Sequence, residues 1–249
     1  MNVQPSKLLP IDPEETFRFS CHPDVPCFNL CCRDLNQALT PYDVLRLKNH
    51  LSMSTAAFIQ AHGILYTGSA TGLPVASLRF DADKDRRCPF VTPAGCRVYA
   101  ARPSSCRTYP VARALRRIRA DGSISEHFAI IREPHCRGFE QGETRSVRQW
   151  MQDQQLEQYN QMNDMLMELI ALKNQLRPGD LSPEHGRMVR TAFYDVETLS
   201  KEALSGNLPG MQTLGRHPLP EKSDEEGWLI WGFRWVKQIL FGERNQQCS

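Results

Sequence analysis

The sequence of 249 residues lacks any long uncharged apolar stretch. No segment approaches the roughly 18 apolar residues that a membrane-spanning helix needs. The first 20 residues contain Lys7 but lack the apolar run of an export signal. We therefore expect a cytoplasmic protein without a membrane span, and stable disulfides are rare in that compartment.

A strong charge of either sign is also lacking. Lys and Arg number 30 against 28 Asp and Glu, which gives a net charge of +2. This balance provides no overall attraction to nucleic acid or to a membrane, so we do not expect a nucleic-acid partner. A hydrophobic content of 41% is too high for a disordered chain.

Familiar catalytic motifs are missing as well. The sequence has no Gly-rich phosphate loop, no HExxH and no recognisable Ser/His/Asp or Cys/His nucleophile set. The radical-SAM spacing Cys-x3-Cys-x2-Cys is absent, because Cys27-x3-Cys31 continues directly into Cys32. The sequence therefore excludes several common enzyme classes without indicating a reaction.

Cysteine, in contrast, is abundant and clustered. The first cysteine cluster is Cys21, Cys27, Cys31 and Cys32. The second cysteine cluster is Cys88, Cys96 and Cys106, followed after a gap by Cys136. Only Cys248 lies outside this region. Such a density of thiols usually serves metal ligation or disulfides. We predict metal ligation by the eight clustered cysteines, with structural disulfides and buried thiols as alternatives.

The spacing suggests how the ligands are shared. Cys27 and Cys31 would lie on one side of a turn, whereas the adjacent Cys31 and Cys32 are expected to point apart. A structural zinc ion takes four nitrogen or sulfur ligands, and a [4Fe-4S] cluster takes four thiolates. We predict that the two cysteine clusters meet around one or two metal sites. His22 and His135 are candidate nitrogen ligands, although surface histidines are the more ordinary interpretation.

Helix and strand signals surround the cysteines. Thr40-Pro41-Tyr42-Asp43 combines an N-cap, a first-turn proline and an acidic residue, which predicts a helix from 41 to about 51. Ser54 and Gly63 bound a second helix. Residues 73–80 look extended. The runs 111–119 and 124–131 flank an Asp-Gly turn, which predicts a β-hairpin.

The two ends of the chain differ in character. Prolines at 5, 10 and 13 predict an irregular leader. From about residue 147 the pattern becomes helical. One apolar stripe consists of Tyr159, Met162, Leu166, Leu169 and Leu176. Further helices are predicted over 183–204 and 224–239, the last with core tryptophans at 228, 231 and 235. Burial of the stripe suggests packing within the chain or a homodimer through the 147–176 helix.

A longer motif surrounds the second cysteine cluster. It reads Cys96-Arg97-Val98-Tyr99, then Arg102-Pro103, then Cys106-Arg107-Thr108-Tyr109-Pro110. Cys31-Cys32 and Thr40 to Asp43 precede it, and Cys136-Arg137-Gly138 follows. These ordered features resemble the YkgJ-like CxxCxxCC cysteine-cluster family, a zinc- or iron-chelating domain. The resemblance covers about residues 17 to 140. This chain has wider spacings of five and three residues in its first cysteine cluster, where the family has two.

The resemblance implies a cofactor more directly than a reaction. It points to a [4Fe-4S] cluster, with zinc as the alternative, held by the clustered cysteines. The family includes flagellin lysine methylases, for which an iron-sulfur cluster is implied. Arg102 and Arg107 flank Cys106, where their guanidinium groups are candidates for cofactor binding by hydrogen bonds to a thiolate site. Salt bridges to carboxylates are the alternative role.

The resulting prediction is an α+β protein with three parts. These are an irregular leader (1–16), a small cysteine-rich metal-binding domain with irregular loops and a β-hairpin (17–145), and an α-helical extension (146–249). We predict an iron-sulfur protein of redox or cluster-assisted chemistry with an unknown redox or protein partner. A structural zinc protein acting as an interaction module and a cluster-dependent methyltransferase are the alternatives.

Overall fold

The computed structural model describes residues 6–33, 35–80, 85–117, 124–211 and 218–242. The strands are β1 (Lys7–Ile11), β2 (Thr16–Arg18), β3 (Ala38–Leu39), β4 (Gly63–Thr67), β5 (Pro74–Leu78), β6 (Val91–Thr92), β7 (Gly95–Cys96), β8 (Val111–Arg117), β9 (Ile124–Arg132) and β10 (Thr144–Ser146). The helices are α1 (Pro41–His50), α2 (Thr55–His62), α3 (Ser104–Thr108), α4 (Val147–Asp153), α5 (Glu157–Leu176), α6 (Pro183–Tyr194), α7 (Val196–Leu204) and α8 (Glu225–Phe241). The fold class is α+β, as predicted.

The chain forms two compact units that alternate along the sequence. The cysteine unit consists of residues 1–35 and 80–158, and the helical unit consists of residues 36–79 and 159–249. The segment between the two cysteine clusters is therefore part of the helical unit. The division into 1–16, 17–145 and 146–249 stays a prediction, because the contacts that define the two units do not test it.

A three-stranded antiparallel sheet supports the cysteine unit. β8 pairs with β9, with Val111 opposite Ile130, which is the predicted hairpin. Its predicted Asp-Gly turn lies outside the described residues. β1 adds to the other side of β9. The expectation of an irregular leader was therefore wrong. Pro10 is tolerated because β1 is an outer strand, where a missing N–H need not interrupt a ladder.

One hydrophobic cluster fills the core of the cysteine unit. Its buried members are Phe17, Phe19, Val111, Ile130, Val147 and Trp150. The Trp150 indole N–H donates to the Thr108 carbonyl at 2.9 Å. Helix α4 therefore packs in the core of the cysteine unit. The sequence pattern predicts this helix as part of the helical extension instead.

Two helices predicted as continuous are interrupted. Residues 147–176 form α4 and α5, separated at Gln155, whose φ of +52° lies in the left-handed region. Residues 183–204 form α6 and α7, because Asp195 leaves the helical conformation and its side chain accepts the Thr198 N–H. Neither break carries the Gly or Pro that usually signals one.

The boundaries predicted for α1 and α2 and the buried tryptophans predicted for α8 are confirmed in the helical unit. The Thr40 side chain accepts the Asp43 N–H and Asp43 accepts the Thr40 N–H, which completes a capping box at the start of α1. α2 begins after Ser54 and ends at His62, as predicted. The tryptophans of α8 are buried, at 1–2% exposure, which confirms their core role.

The apolar stripe of α5 is covered largely within the helical unit. Tyr159, Met162 and Leu169 are buried, and Tyr159 packs edge-on against Tyr42 with 5.0 Å between ring centroids. Leu176 is exposed. A homodimer is therefore not needed to bury most of this stripe. Within the described residues, no helix combines the length and apolar character that crossing a membrane requires.

An ion cluster joins α1, α7 and α8. Lys48 is 3% exposed, and its ammonium pairs with Glu225 and, at 3.0 Å, with Glu197. Thr55 donates its backbone N–H and its hydroxyl to Glu197. Burial raises the pKa of Glu197, but the hydrogen bonds from Thr55 and Lys48 hold it below its ordinary value.

Replacing Lys48 with Met should lower the free energy of unfolding by about 2 kcal/mol at pH 7. This is below the roughly 3–5 kcal/mol of fully buried pairs, because Glu197 and Glu225 keep contact with water. A carboxylate with a lowered folded pKa contributes fully above its unfolded value, near 4.3, and loses that contribution as the pH falls through the folded value. The difference from the native chain should therefore shrink below about pH 4.

Urea unfolding at a series of pH values measures this effect. The matched control is Arg187→Met, which removes one positive charge from an exposed position of α6. Equal stability of the two variants at pH 7 would contradict the role of Lys48.

Candidate metal centre

All eight clustered cysteines lie in the cysteine unit, and none forms a disulfide. The first cysteine cluster occupies the turns that follow β2, and Cys88 lies in the loop before β6. Cys96 ends β7, Cys106 lies in α3, and Cys136 follows β9. Short elements and turns thus carry the thiols, while the sheet and core lie beside them.

Backbone contacts bring the two cysteine clusters together. The Cys88 N–H donates to the Cys32 carbonyl at 2.9 Å. Beside this bond, Arg33 and Arg87 form an isolated antiparallel bridge. The Asn29 side-chain amide donates to the Thr92 carbonyl at 2.9 Å. Hydrogen bonds that involve the main chain therefore join the two cysteine clusters, although the clusters are far apart in sequence.

Cys136 returns to the first cysteine cluster. The Arg137 N–H lies 3.1 Å from the Cys27 sulfur and donates to it. The Ser20 N–H donates to the Gly138 carbonyl at 2.9 Å. The late cysteine of the motif is thus placed next to the earliest ones.

The adjacent Cys31 and Cys32 thiols contact each other, contrary to the expectation that they point apart. The Cys32 thiol donates a hydrogen bond to the Cys31 sulfur. This bond lowers the pKa of Cys31 and raises the pKa of Cys32. The pair forms a junction, because the Cys31 sulfur influences Cys21, and the Cys32 thiol is influenced by Cys88 and Cys106.

The thiols on the Cys31 side form one set, which we call the Cys136 group. It consists of Cys21, Cys27, Cys31 and Cys136. Burial and the neighbouring thiols of Cys31, Cys27 and Cys136 raise the pKa of Cys21 to about 11. Burial also raises the pKa of Cys136, and interactions of its sulfur with the Tyr109 hydroxyl and the Gly138 N–H oppose that rise.

The thiols on the Cys32 side form a second set, which we call the Cys106 group. It consists of Cys32, Cys88, Cys96 and Cys106, and Cys88 is also influenced by Cys31 of the Cys136 group. Burial raises the pKa of Cys88, partly opposed by the Phe90 and Val91 N–H donors. Burial likewise raises the pKa of Cys96, opposed by the Val98 N–H and by Arg102.

The donor chemistry of these groups fits a thiophilic metal. Each group contains four sulfurs, and backbone N–H groups are directed at Cys88, Cys96 and Cys136 from two residues further along. Such donors stabilise metal-bound thiolates. Within the described ranges, however, no set of three or more Cys, His, Asp or Glu side chains is already arranged to hold a metal ion. The thiols therefore share one unit without forming a completed ligand set among the described residues.

The two arginines predicted to bind a cofactor donate mainly to the protein. Arg102 bonds the Tyr99 carbonyl at 2.7 Å and the Gln154 side chain. Arg107 bonds the carbonyls of Gln154 and Ala100 at 2.9 and 2.6 Å. Both are buried and fasten α3 to the segment after α4. The charge of Arg102 also opposes the rise that burial causes in the pKa of Cys96, so Arg102 remains a candidate for stabilising that thiolate.

The candidate histidine ligands interact with carboxylates. His22 Nδ1 lies 3.5 Å from Asp24, and His135 Nε2 lies 3.5 Å from Glu133. Both side chains are about 40% exposed. These contacts agree with the more ordinary interpretation of surface histidines.

Two polar residues beside the thiols were not singled out from the sequence. The Tyr109 hydroxyl donates to Glu133 at 3.0 Å and also interacts with Cys136. The hydrogen bond with Cys32 lowers the pKa of Cys31, and the charge of the nearby Glu133 carboxylate opposes that lowering. Tyr109 belongs to the quoted motif, which is a signal for its importance. Glu133 has no local signal, because only the end of β9 places it there.

The fold and the gathered thiols define a cysteine-rich metal-binding domain. Residues 20–137 match the family model CxxCxxCC, described as "Putative zinc- or iron-chelating domain". The match confirms the resemblance over these residues. The comparisons with curated proteins and with solved structures gave no match.

The close approach at Gly138 gives a testable prediction. A Cβ there would lie 2.5 Å from the Phe19 ring and 2.6 Å from the Ser20 carbonyl oxygen. Gly138→Ala should therefore lower the free energy of unfolding by about 1–3 kcal/mol, the usual cost of overpacking. Urea unfolding followed by circular dichroism measures the change.

Gly186→Ala is the matched control for this substitution. No atom lies within 4 Å of a Cβ at Gly186, which is in the interior of α6. Alanine should stabilise that helix by up to about 1 kcal/mol. A Gly138→Ala protein as stable as the native chain would show that the contact with Phe19 and Ser20 relaxes without cost.

Proposed function

We propose that the cysteine unit binds iron as [4Fe-4S] clusters and uses them in electron transfer or cluster-assisted chemistry. The observation that carries this proposal is the gathering of the eight clustered thiols in one unit, where hydrogen bonds join Cys88 to Cys32 and Arg137 to the Cys27 sulfur. Four thiolates are the ligand number of one such cluster. The match to a zinc- or iron-chelating family supports metal binding in general.

The composition of the groups supports iron-sulfur chemistry over other metals. Both groups consist of sulfur donors, and His22 and His135 pair with carboxylates instead of joining them. Zinc sites often include histidine, whereas [4Fe-4S] clusters are held mainly by thiolates. Backbone N–H donors to the sulfurs also adjust the reduction potential of such clusters.

A structural zinc site is the second candidate, and the loops favour it. The thiols lie on turns and very short elements, which have few regular backbone hydrogen bonds. Where loops carry the ligands, metal binding supplies folding free energy. In this case the protein would act as an interaction module, with its partner unassigned. A cluster-dependent methyltransferase rests on the family resemblance alone.

Purification under anaerobic conditions, followed by iron, zinc and acid-labile sulfide analysis, tests the first proposal. We expect a brown protein whose iron and sulfide contents are equal and whose zinc content is low. A colourless protein with stoichiometric zinc would instead support the structural site. A folded protein that retains neither metal would contradict both.

Single substitutions test whether the two groups are separate sites. Cys136→Ser and Cys106→Ser each remove one sulfur from a different group, so each should lower the metal content by about half. Cys248→Ser, a change in the C-terminal tail, is the matched control and should leave it unchanged. Complete loss from either single variant would indicate one shared site, and equal loss from all three would contradict the ligand assignment.

A further inference from the structure

A cavity of about 510 Å³ opens in the helical unit between α7 and the start of α8. Its volume lies within the range of roughly 300–1,000 Å³ found for small-molecule sites. The lining residues come from α7, its end and the segment 222–228, so the cavity is formed within one unit. It is separate from the thiol groups and has no role in the proposed function.

Two carboxylates in the cavity wall are held in place by hydrogen bonds from residues outside the lining. Glu197 accepts hydrogen bonds from Thr55 N–H at 3.1 Å and Thr55 Oγ1 at 2.8 Å, and it pairs with Lys48. Glu225 accepts from Lys48 and, at 2.7 Å, from the Asn49 amide. A carboxylate offers about four lone-pair positions. Glu197 already accepts four bonds, including one from its own N–H, whereas Glu225 accepts two and keeps acceptor capacity. The orientation of both carboxylates is therefore set in advance of any ligand.

Positive charge and apolar surface complete the lining. Lys201 and Lys222 are exposed residues of the cavity wall. Leu204 is 51% exposed and supplies the accessible apolar surface, whereas Val196 and Trp228 are buried in the wall at 5% and 1% exposure. The Trp228 indole N–H is bonded to the Glu221 carbonyl at 3.0 Å, so the ring presents only apolar surface. One cavity thus combines carboxylates held by hydrogen bonds, exposed ammonium groups and apolar surface.

We propose that this cavity binds a small zwitterion with an apolar side chain, of the class of a free amino acid. The ligand ammonium bonds Glu225 beside the negatively charged Glu197, and its carboxylate pairs with Lys201 or Lys222. Its apolar side chain lies against the exposed Leu204. The buried Lys48 neutralises part of the charge of the two carboxylates, which leaves room for one further cation. A plain amine or a plain acid satisfies only half of this lining.

Isothermal titration of the full-length protein with matched probes tests the proposal. The probes are L-phenylalanine, L-leucine, phenethylamine and hydrocinnamate, the last two being phenylalanine without its carboxylate or its amine. One of the two amino acids should bind at least about tenfold more tightly than the amine and the acid, since a charge-assisted hydrogen bond is worth about 1.5–3 kcal/mol. Failure of both amino acids to bind, or equal affinity for all probes, would overturn the proposal.

Variants outside the ion cluster locate the site without disturbing the fold. Lys201→Met should weaken amino-acid binding about tenfold and leave phenethylamine binding unchanged. Ser205→Trp places a ring into the cavity from an exposed position and should abolish binding. Arg187→Met removes a charge outside the cavity and should have no effect, with circular dichroism confirming that each variant folds. Equal effects of Lys201→Met and Arg187→Met would assign the binding to another place.

Discussion

The cysteine unit depends on the junction at which Cys32 meets Cys88. There a main-chain hydrogen bond of 2.9 Å joins segments more than fifty residues apart in sequence. The Cys31 and Cys32 thiols, which interact with each other, link the two sets of sulfurs. Gathering partly buried thiols is unfavourable for their charged forms, as their raised pKa values show. A bound cation offsets that cost, which connects the shape of this junction to metal binding.

The chain leaves the cysteine unit after residue 35 and returns to it at residue 80. Arg33 bridges Arg87 in the cysteine unit, and Ala38 pairs with Ser77 in the helical unit. The ends of the segment 36–79 are therefore close together on both sides of the crossing. Insertions whose ends are adjacent leave a host fold intact, because they require little additional loop closure. This geometry brings two cysteine clusters that are far apart in sequence together in the cysteine unit.

The aromatic core behind the thiols explains several motif residues. Phe19 packs against Tyr109 and Phe139 with ring centroids 5.7 and 5.1 Å apart. Cys136 borders the same cluster, and Gly138 allows the Phe19 ring to approach its backbone. Arg102 and Arg107, bonded to carbonyls and Gln154, fix α3 and thereby Cys106. The motif therefore includes residues that position the thiols, such as Arg102, Arg107 and Gly138, as well as the cysteines themselves.

The sequence by itself determined the features that arise from neighbouring residues. The capping box of Thr40 and Asp43, the β8–β9 hairpin, the buried tryptophans of α8 and the family motif all follow from local patterns. Only the tertiary structure decided the contact of Cys31 with Cys32, the approach of Glu133, the pairing of β1 and the cavity beside Glu197. These features depend on contacts between distant segments, and such contacts leave no periodic or capping signal in the chain. The breaks at Gln155 and Asp195 escaped prediction for a related reason, since packing and a side-chain cap replaced the usual Gly or Pro.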